Sequence, residues 1–374
     1  MDLQLTPEQI ALRDEARAFG ESLRPQLEAY PEWRRQGLLS DGDSREVTAA
    51  LGRAGWIGIP WPRELGGRGL TNLDAALAED VFGYCWLPLS LYLLSAKTIG
   101  AALERFASAE LKERLLPPIA RGELVFCQGF SEPGAGSDLG SLRTSASVEG
   151  DRFVVDGHKI WTSSGHLADW IYLAVRTDPD RPKHRGISVL VADIRTPGIT
   201  VRPFPTLGGG SLCEVFLEGV EIPRENLVGE LHGGWAVLMH TLDFERITAE
   251  KLGGVLWILD ELQGHLGASE RLVQLRGELE AARLLSFRAA WLLDRGEPAA
   301  AASAMTKLAG ARVTQRVADA ACDLLGLDGL ADGEPESPVE GRVAALYRAC
   351  VASTISGGTA EVQQLVIARR GLGL

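Results

Sequence analysis

Residues 131–138 read SEPGAGSD, and this short run is more informative than any other part of the chain. One proline and two glycines between polar residues predict a loop without bulk, where backbone N–H groups can approach a ligand closely. The hydroxyls of Ser131 and Ser137 add donors at its two ends. A second segment, DGHKIWTSSG at residues 156–165, supplies the flat apolar indole of Trp161. Together the two segments suit a planar heteroaromatic ligand with polar edges.

The composition is that of an ordinary globular protein. The chain has 374 residues, of which 45% are hydrophobic and 24% charged, so it is long enough for two or three packed domains. The formal charge of -12 argues against general nucleic-acid binding, which needs a basic face. An acidic total still allows an anionic ligand such as coenzyme A, because a local basic patch is sufficient.

Cysteine usage and the N-terminal sequence bear on the compartment. Five cysteines are scattered without CxxC or metal-ligand spacing, which predicts free thiols, a reducing compartment and no metal site. The first residues lack the basic and apolar regions of a secretion signal. The longest apolar run, around residues 87–94, contains Pro88 and is too short to span a membrane. We therefore expect a cytoplasmic protein without a membrane span.

The periodicity of apolar residues divides the chain into three regions. Helical spacing runs from a start at Thr6 and Pro7 to about residue 120, and Asn72 is expected to cap the helix after the glycine-rich loop at 65–70. Short alternating segments follow up to about residue 229, and helical spacing returns from residue 233. The predicted fold class is α+β: an N-terminal α-helical domain (1–121), a middle antiparallel β domain (122–229) and a C-terminal helical bundle (230–374).

This α–β–α order, the two motifs above and the run ISGGTAEVQQ at residues 355–364 resemble the acyl-CoA dehydrogenase family, flavoproteins that oxidise acyl thioesters. The resemblance covers essentially the whole chain. It implies FAD as cofactor, acyl-CoA as substrate and electron-transfer flavoprotein as acceptor. In the family reaction a base removes the α-proton, the β-hydrogen passes as hydride to flavin N5, and a trans-2-enoyl-CoA results. The thioester carbonyl is stabilised by a flavin ribityl hydroxyl and a backbone N–H, here that of Gly357.

The catalytic base is the sharpest question that the resemblance raises. Many family members use a Glu directly before Gly-Thr in the C-terminal motif, but this chain has Gly357 there. A minority of members use a Glu on an earlier helix, and LDFER at residues 242–246 puts Glu245 at the matching position. We therefore predict Glu245 as the base. The alternatives are that Glu245 is a surface acid paired with a basic neighbour, or that Glu361 acts instead, although by resemblance Glu361 lies nearer the adenosine end of the flavin.

The resemblance also assigns binding positions residue by residue. The flavin contacts are Gln128, Phe130, Ser131, Gly136, Ser137, Trp161, Thr162, Ser163, Gly357, Thr359 and Glu361. The substrate contacts are Ser137, Asp243, Arg246 and Gly357. Arg246 has the alternative of being a structural partner of Glu245 or Asp243. His166 and His240 lie close to these motifs but receive no role, because a lone histidine is more often structural.

The chain departs from the family in the elements that reach a neighbouring subunit. The Arg-x-x-Phe-Gly motif that holds the neighbour's FAD phosphates is missing from residues 262–271. The later Gln-x-x-Gly-Gly motif reads DLLGL at residues 323–327, and Asp323 would repel a pyrophosphate. We therefore predict a heteromer with a homologous subunit, of the α2β2 kind found in bacterial steroid side-chain degradation. A homodimer with altered FAD binding is the alternative.

Two other functions compete with this prediction. A superfamily member could carry out different flavin chemistry, such as monooxygenation or nitroalkane oxidation, and Glu245 would then be dispensable. A supporting subunit could complete the site of a partner without catalysing anything itself. The intact loop at 131–138 and Glu245 argue against a supporting subunit, which would lose those residues first.

Overall fold

The structure is a computed structural model that describes residues 4–30, 33, 35 and 44–374. Its N-terminal region is helical, as predicted. The helices are α1 (Pro7–Glu28), α2 (Ser44–Arg53), α3 (Asn72–Tyr84), α4 (Ser90–Tyr92), α5 (Ala101–Phe106) and α6 (Ala109–Ala120). A π-helical segment, Leu93–Gly100, joins α4 to α5 in one continuous rod.

Two predicted helix starts can be compared with the structure. α1 begins with a capping box, in which the Thr6 hydroxyl accepts from the Gln9 backbone and the Gln9 side chain accepts from the Thr6 backbone. The cap predicted at Asn72 is wrong by one residue, because Thr71 caps α3. The reason is that Asn72 is already helical, and its backbone N–H donates to the Asp294 carboxylate at 2.6 Å.

The middle region is a twisted sheet with the strand order β6-β7-β3-β2-β4-β5-β8. Its strands are β1 (Phe126–Gly129), β2 (Ser145–Glu149), β3 (Arg152–Ser163), β4 (Trp170–Arg176), β5 (Ile187–Asp193), β6 (Ile199–Pro205), β7 (Ser211–Pro223) and β8 (Leu227–Val228). Most neighbours are antiparallel, as predicted, whereas β1 lies parallel to β4 outside the main strand order. This sheet carries both sequence motifs at one end.

The C-terminal region is again helical. It contains α7 (Gly234–Glu245), α8 (Ala249–Leu266), α9 (Glu270–Asp294), α10 (Ala300–Leu325), α11 (Val343–Cys350) and α12 (Ala360–Val366). The glycine-rich stretch after α10 begins with a short 3-10 turn, Gly326–Leu330.

The two helical regions meet where α3 crosses α8. A Cβ atom on Gly83 would collide with the carbonyl oxygen of Glu250, and one on Gly253 would collide with that of Asp80. The two backbones are therefore in direct contact, which only glycine allows.

Two buried arginines join other parts of the chain to this crossing. The Arg283 guanidinium donates to both Asp80 oxygens at 2.8 and 2.5 Å and also pairs with Glu280. Burial opposes the charge, but these carboxylates raise the pKa of Arg283. The second cation is Arg342, only 1% exposed, whose guanidinium lies 4.0, 4.5 and 5.6 Å from the ring centres of Trp33, Trp86 and Trp257, respectively. N- and C-terminal helices thus form one core.

Candidate active site

A buried ion pair between Glu132 and Lys159 holds the loop at residues 131–138 in place. The Glu132 carboxylate accepts from the backbone N–H groups of Arg143 at 2.7 Å and Thr144 at 2.8 Å, and from Lys159 Nζ at 2.8 Å. Burial by itself would raise the pKa of Glu132, but Lys159 and these donors lower it, so the carboxylate remains ionised. Lys159 lies on β3, so the pair holds the loop against the strand that carries Trp161.

The two sequence motifs come together at the end of β3. The Ile160 backbone N–H donates to the Ser131 carbonyl at 3.0 Å. The next residue, Trp161, is 58% exposed and has a φ of +62°, in the left-handed region that side chains rarely adopt. Thr162 is buried, and among the described residues its hydroxyl has no hydrogen-bond partner. A bound planar group could cover the exposed indole, and its polar edge could give the Thr162 hydroxyl the hydrogen bond it lacks. Strained backbone of the kind found at Trp161 often occurs at such binding sites.

The predicted contacts on and after β1 connect this end of the sheet to α7. Phe130 packs against Tyr172, with ring centres 5.7 Å apart, and the Tyr172 hydroxyl forms a hydrogen bond with that of Thr241 at 3.1 Å. Gln128 Nε2 donates to Glu245 Oε2 at 3.5 Å. Further along the loop, Gly136 and Ser137 are exposed. The predicted flavin contacts of the β region therefore lie within reach of the predicted base.

The C-terminal motif forms a tight loop before α12. Gly357 and Gly358 have φ values of +65° and +99°, and Gln363 Nε2 donates to both of their carbonyl oxygens, at 3.1 and 3.0 Å. Thr359 caps α12 by accepting from the Val362 N–H at 3.3 Å. Gln363 was missed as a site residue, although the quoted motif contains it. Its side chain fixes the direction of the Gly357 backbone.

Glu245 ends α7 and meets this loop directly. Its Oε1 lies 3.1 Å from the point that a Cβ atom on Gly357 would occupy. Gln128 contacts the other carboxylate oxygen, so β1, α7 and the C-terminal loop converge on one acid. Glu361, by contrast, is exposed on the first turn of α12, where its own backbone N–H and the Thr359 hydroxyl lower its pKa. The structure thus brings Glu245, and not Glu361, against Gly357.

Asp243 and Arg246 lie beside Glu245 but interact mainly with each other. Arg246 Nη1 is 3.6 Å from Asp243 Oδ1, and its Nε donates to the Gly357 carbonyl at 3.4 Å. The structural alternative for Arg246 therefore has direct geometric support. Burial raises the pKa of Asp243 to about 6, although Arg246 and Arg370 oppose the shift.

The two histidines near the motifs have apolar or thiol neighbours. His240 stands between the rings of Phe106 and Phe244, at 5.3 and 5.0 Å, and His166 Nδ1 lies 3.6 Å from Cys213 Sγ. Burial, and to a smaller extent Arg105, lowers the pKa of His240 to about 4. The ring is therefore neutral near physiological pH.

This shift predicts a pH dependence of stability. In the unfolded chain the pKa of His240 is about 6.5, whereas in the folded chain it is about 4. Between these two pH values the unfolded chain binds a proton that the folded chain does not. The free energy of unfolding should therefore fall as the pH falls through this window. In urea titrations from pH 7 to 4, His240→Gln should flatten the slope and His265→Gln, on the exposed end of α8, should keep it. Equal slopes in both variants would contradict the assignment.

Three family models together match nearly the whole chain. Models of the acyl-CoA dehydrogenase N-terminal, middle and C-terminal domains match residues 6–123, 127–220 and 232–372, respectively. The chain is 33% identical to acyl-CoA dehydrogenase FadE26 of Mycobacterium tuberculosis, covering 100% of this chain and 99% of that protein. The chain belongs to the acyl-CoA dehydrogenase family. The mouse mitochondrial short-chain specific acyl-CoA dehydrogenase is 32% identical over 85% of this chain and 80% of its own length.

Solved structures of acyl-CoA dehydrogenases superpose along the whole chain. The Tcur3481-Tcur3483 steroid acyl-CoA dehydrogenase has a TM-score of 0.91 at 33% identity and covers 100% of this chain and 99% of its own. The ChsE4-ChsE5 complex from Mycobacterium tuberculosis has a TM-score of 0.88 at 32% identity, with coverage of 100% and 99%. In the part of the chain that the structure describes, no helix is long and apolar enough to cross a membrane.

The acyl-CoA dehydrogenase is thus an FAD-dependent oxidoreductase that acts on acyl-CoA. The unsatisfied Thr162 hydroxyl and the exposed Trp161 indole fit the edge and face of a flavin. Cβ atoms on Gly134 and Gly136 would meet nothing within 4 Å, so the surface of the loop is open. The residues present therefore suit the cofactor.

Two surface features lie where the sequence lacks the Gln-x-x-Gly-Gly motif. Asp323 pairs with Arg271 at 2.9 Å, so the position of the missing Gln motif is held in an ion pair within the chain. The turn after α10 exposes two leucines to solvent, Leu327 at 84% and Leu330 at 63%. Both leucines belong to the 3-10 turn Gly326–Leu330.

Gly357 offers a test of the contact with the acid. Gly357→Ala should lose about 1–2 kcal/mol of stability from its left-handed backbone, and its methyl group should displace the Glu245 carboxylate. Gly296→Ala is a matched control, since Gly296 has a φ of +66° and open space around it. Urea unfolding should show similar losses in both variants, and only Gly357→Ala should lower acyl-CoA oxidation. Unchanged oxidation in Gly357→Ala would contradict the close packing.

Proposed function

We propose that this enzyme oxidises an acyl-CoA thioester to the trans-2-enoyl-CoA with Glu245 as the base that removes the α-proton. The observation that carries the proposal is the junction of Glu245 with the Gly357 backbone. An acid beside a backbone donor is what abstraction next to a thioester carbonyl needs, because the donor stabilises the charge that develops on the carbonyl oxygen. Bound FAD supplies the hydride acceptor at N5.

The chain's own residues divide the remaining tasks. Gln128 orients the Glu245 carboxylate, and Gln363 holds the Gly357 carbonyl so that the amide of this loop keeps its direction. Trp161 covers the flavin ring, and Thr162 bonds its edge. The remaining assigned flavin contacts keep their roles in this proposal: Phe130, Ser131, Gly136, Ser137, Ser163, Thr359 and Glu361.

Coenzyme A would be bound next to Ser137, where several charged side chains of the segment at 178–185 approach the loop. Lys183 Nζ is 2.7 Å from Asp138 Oδ1, next to Ser137, and Arg181 and Arg185 lie in the same exposed segment. Carboxylates offset two of these cations, because Lys183 pairs with Asp138 and Arg181 Nε lies 2.9 Å from Asp178 Oδ2, so an anionic thioester would compete with both pairs. Asp243 and Arg246 complete the substrate contacts from α7.

The acyl group is bulky, of the steroid side-chain type, and the partner is a homologous subunit in an α2β2 assembly. The similarity to the steroid acyl-CoA dehydrogenase and to the ChsE4-ChsE5 complex supports both points. The missing Arg-x-x-Phe-Gly and Gln-x-x-Gly-Gly motifs support the heteromer, and the Asp323 carboxylate, paired with Arg271, stands at the position of the second motif. Electron-transfer flavoprotein accepts the electrons, and the enzyme serves lipid degradation in the cytoplasm.

The test is to express the chain alone and together with candidate homologous subunits from neighbouring genes. We expect the chain alone to bind little FAD, and the pair to show a flavin spectrum that acyl-CoAs with a ring-bearing acyl group bleach. Straight-chain acyl-CoAs serve as the comparison. A yellow, active protein from this chain alone would refute the heteromer. Oxygen consumption without enoyl-CoA formation would refute the dehydrogenase.

A further inference from the structure

Lys307 is a buried cation that neither the motifs nor the family resemblance brought into the site. It lies in the first third of α10, a helix made largely of alanine and other small residues, and is only 5% exposed. Lysine is rarely buried unless its ammonium group has a partner, because desolvation of the charge is costly. Its surroundings therefore indicate what the residue does.

The first contact of Lys307 is with the C-terminal loop. Its Nζ donates a hydrogen bond to the carbonyl oxygen of Ser353, four residues before Gly357. Its Cε lies 3.6 Å from the point that a Cβ atom on Gly357 would occupy, and Glu245 Oε1 lies 3.1 Å from the same point. The lysine, the predicted base and the glycine backbone thus meet at one place.

The charged groups that face Lys307 come from two other helices. They are Glu245 and Arg246 from α7 and Glu250 and Lys251 from α8. Burial is the largest effect and, together with Lys251 and Arg246, lowers the pKa of Lys307 to about 7, against the pull of the two glutamates. A change in one of these charges, such as loss of the charge on Glu245, therefore changes the pKa of Lys307.

We propose that Lys307 is a positioning residue for proton abstraction, which ties the 353–357 loop to α10 and keeps a positive charge beside the Glu245 carboxylate. This inference rests on the proposed function of Glu245. The tie fixes the distance between the Gly357 amide and the base. Below its own pKa of about 7 Lys307 is charged, and that charge attracts the Glu245 carboxylate that accepts the α-proton.

The experiment uses three variants of the FAD-loaded enzyme to separate the hydrogen bond from Lys307 to Ser353 from the positive charge of Lys307. Lys307→Gln keeps a donor for the Ser353 carbonyl and removes the charge, Lys307→Met removes both, and Lys307→Arg keeps both. The readout is α-hydrogen exchange of a 3-thia-acyl-CoA with deuterated water, followed by mass spectrometry from pH 5 to 9. This probe lacks a β-hydrogen, so exchange reports proton abstraction without hydride transfer.

We expect Lys307→Met to lower the exchange rate by about 10²-fold, the loss typical of a misplaced catalytic group. Both Lys307→Met and Lys307→Gln should move the acid limb of the exchange profile to higher pH, and Lys307→Arg should restore it. The affinity for the 3-thia-acyl-CoA should change little. Arg312→Met, at an exposed position on the same helix, should leave rate and profile unchanged.

The outcomes distinguish this inference from the proposed function. If Glu245→Gln abolishes exchange while Lys307→Gln and Lys307→Met keep the wild-type profile and rate, the role of Lys307 is refuted and that of Glu245 stands. If Glu245→Gln still exchanges at the wild-type rate, the proposed function fails as well. A lower melting temperature in Lys307→Met with an unchanged Lys307→Gln profile would mark the lysine as merely structural and overturn the proposal.

Discussion

Replacement of Glu245 by Gln should lower the rate of α-proton removal by about 10²–10⁴-fold, the usual contribution of a positioned general base. The amide has the same size as the carboxylate and can still contact Gln128, but it cannot accept the proton. Stopped-flow bleaching of the flavin by a ring-bearing acyl-CoA measures the loss. The flavin spectrum itself should be retained, because glutamine has the size of glutamate and can keep the contacts with Gln128 and the Gly357 backbone.

Glu361→Gln is the matched control for this prediction. Glu361 belongs to the quoted C-terminal motif but is exposed on the first turn of α12. Its replacement should leave the bleaching rate of the FAD-saturated enzyme close to that of the wild type, and any effect should fall on the affinity for FAD, because Glu361 is an assigned flavin contact. A large loss in Glu361→Gln together with a small one in Glu245→Gln would show that the base is the acid of the C-terminal motif.

Asp80→Asn should be the most destabilising of the conservative substitutions considered, by about 3–5 kcal/mol, because it leaves a buried arginine without its charged partner. The Asp80 and Arg283 side chains are 3% and 9% exposed, so water cannot replace the lost interaction. Glu280 remains near the guanidinium, which should bring the loss toward the lower end of this range. Urea unfolding followed by circular dichroism measures it.

Two further variants test the cause of this loss. Glu280→Gln removes the more exposed acid of the same cluster and should lose no more than about 1 kcal/mol. The double variant Asp80→Leu with Arg283→Met removes both charges and should recover most of the stability. If the double variant is as unstable as Asp80→Asn, packing at the α3–α8 crossing rather than an unpaired charge is responsible.

Much of the fold could be predicted because local signals set the element boundaries. The Thr6 and Pro7 start, the change near residue 120 and the return of helices after 233 depend on capping and periodicity within a few residues. The second half of β3, residues 156–163, was not predicted as a strand. Its pairing with β7 shifts register between Val155 and Gly157 and again between Lys159 and Thr162. These shifts remove the alternation that marks a strand.

Site residues that belong to a sequence motif could be predicted. Site residues that only tertiary packing brings together could not. Glu245 and Gly357 are 112 positions apart, and only the resemblance connected them before the fold was known. Lys307 could not be linked to either residue, because nothing in α10 itself indicates which loop packs on it. The one local hint was a lysine at a position surrounded by small apolar residues on a helix. The Glu132–Lys159 pair was missed for the same reason.

The stacking of Arg342 on the indoles at positions 33, 86 and 257 has a consequence for synthesis of the chain. Translation releases the N-terminal helices first, yet their aromatic surface stays uncovered until residue 342 has left the ribosome tunnel. Coverage of these indoles must therefore wait for the last tenth of the polypeptide, whereas Phe19, Trp56 and Phe82 can already pack together within the first third. A nascent or prematurely terminated chain of this enzyme would present tryptophan surface to chaperones for most of its synthesis.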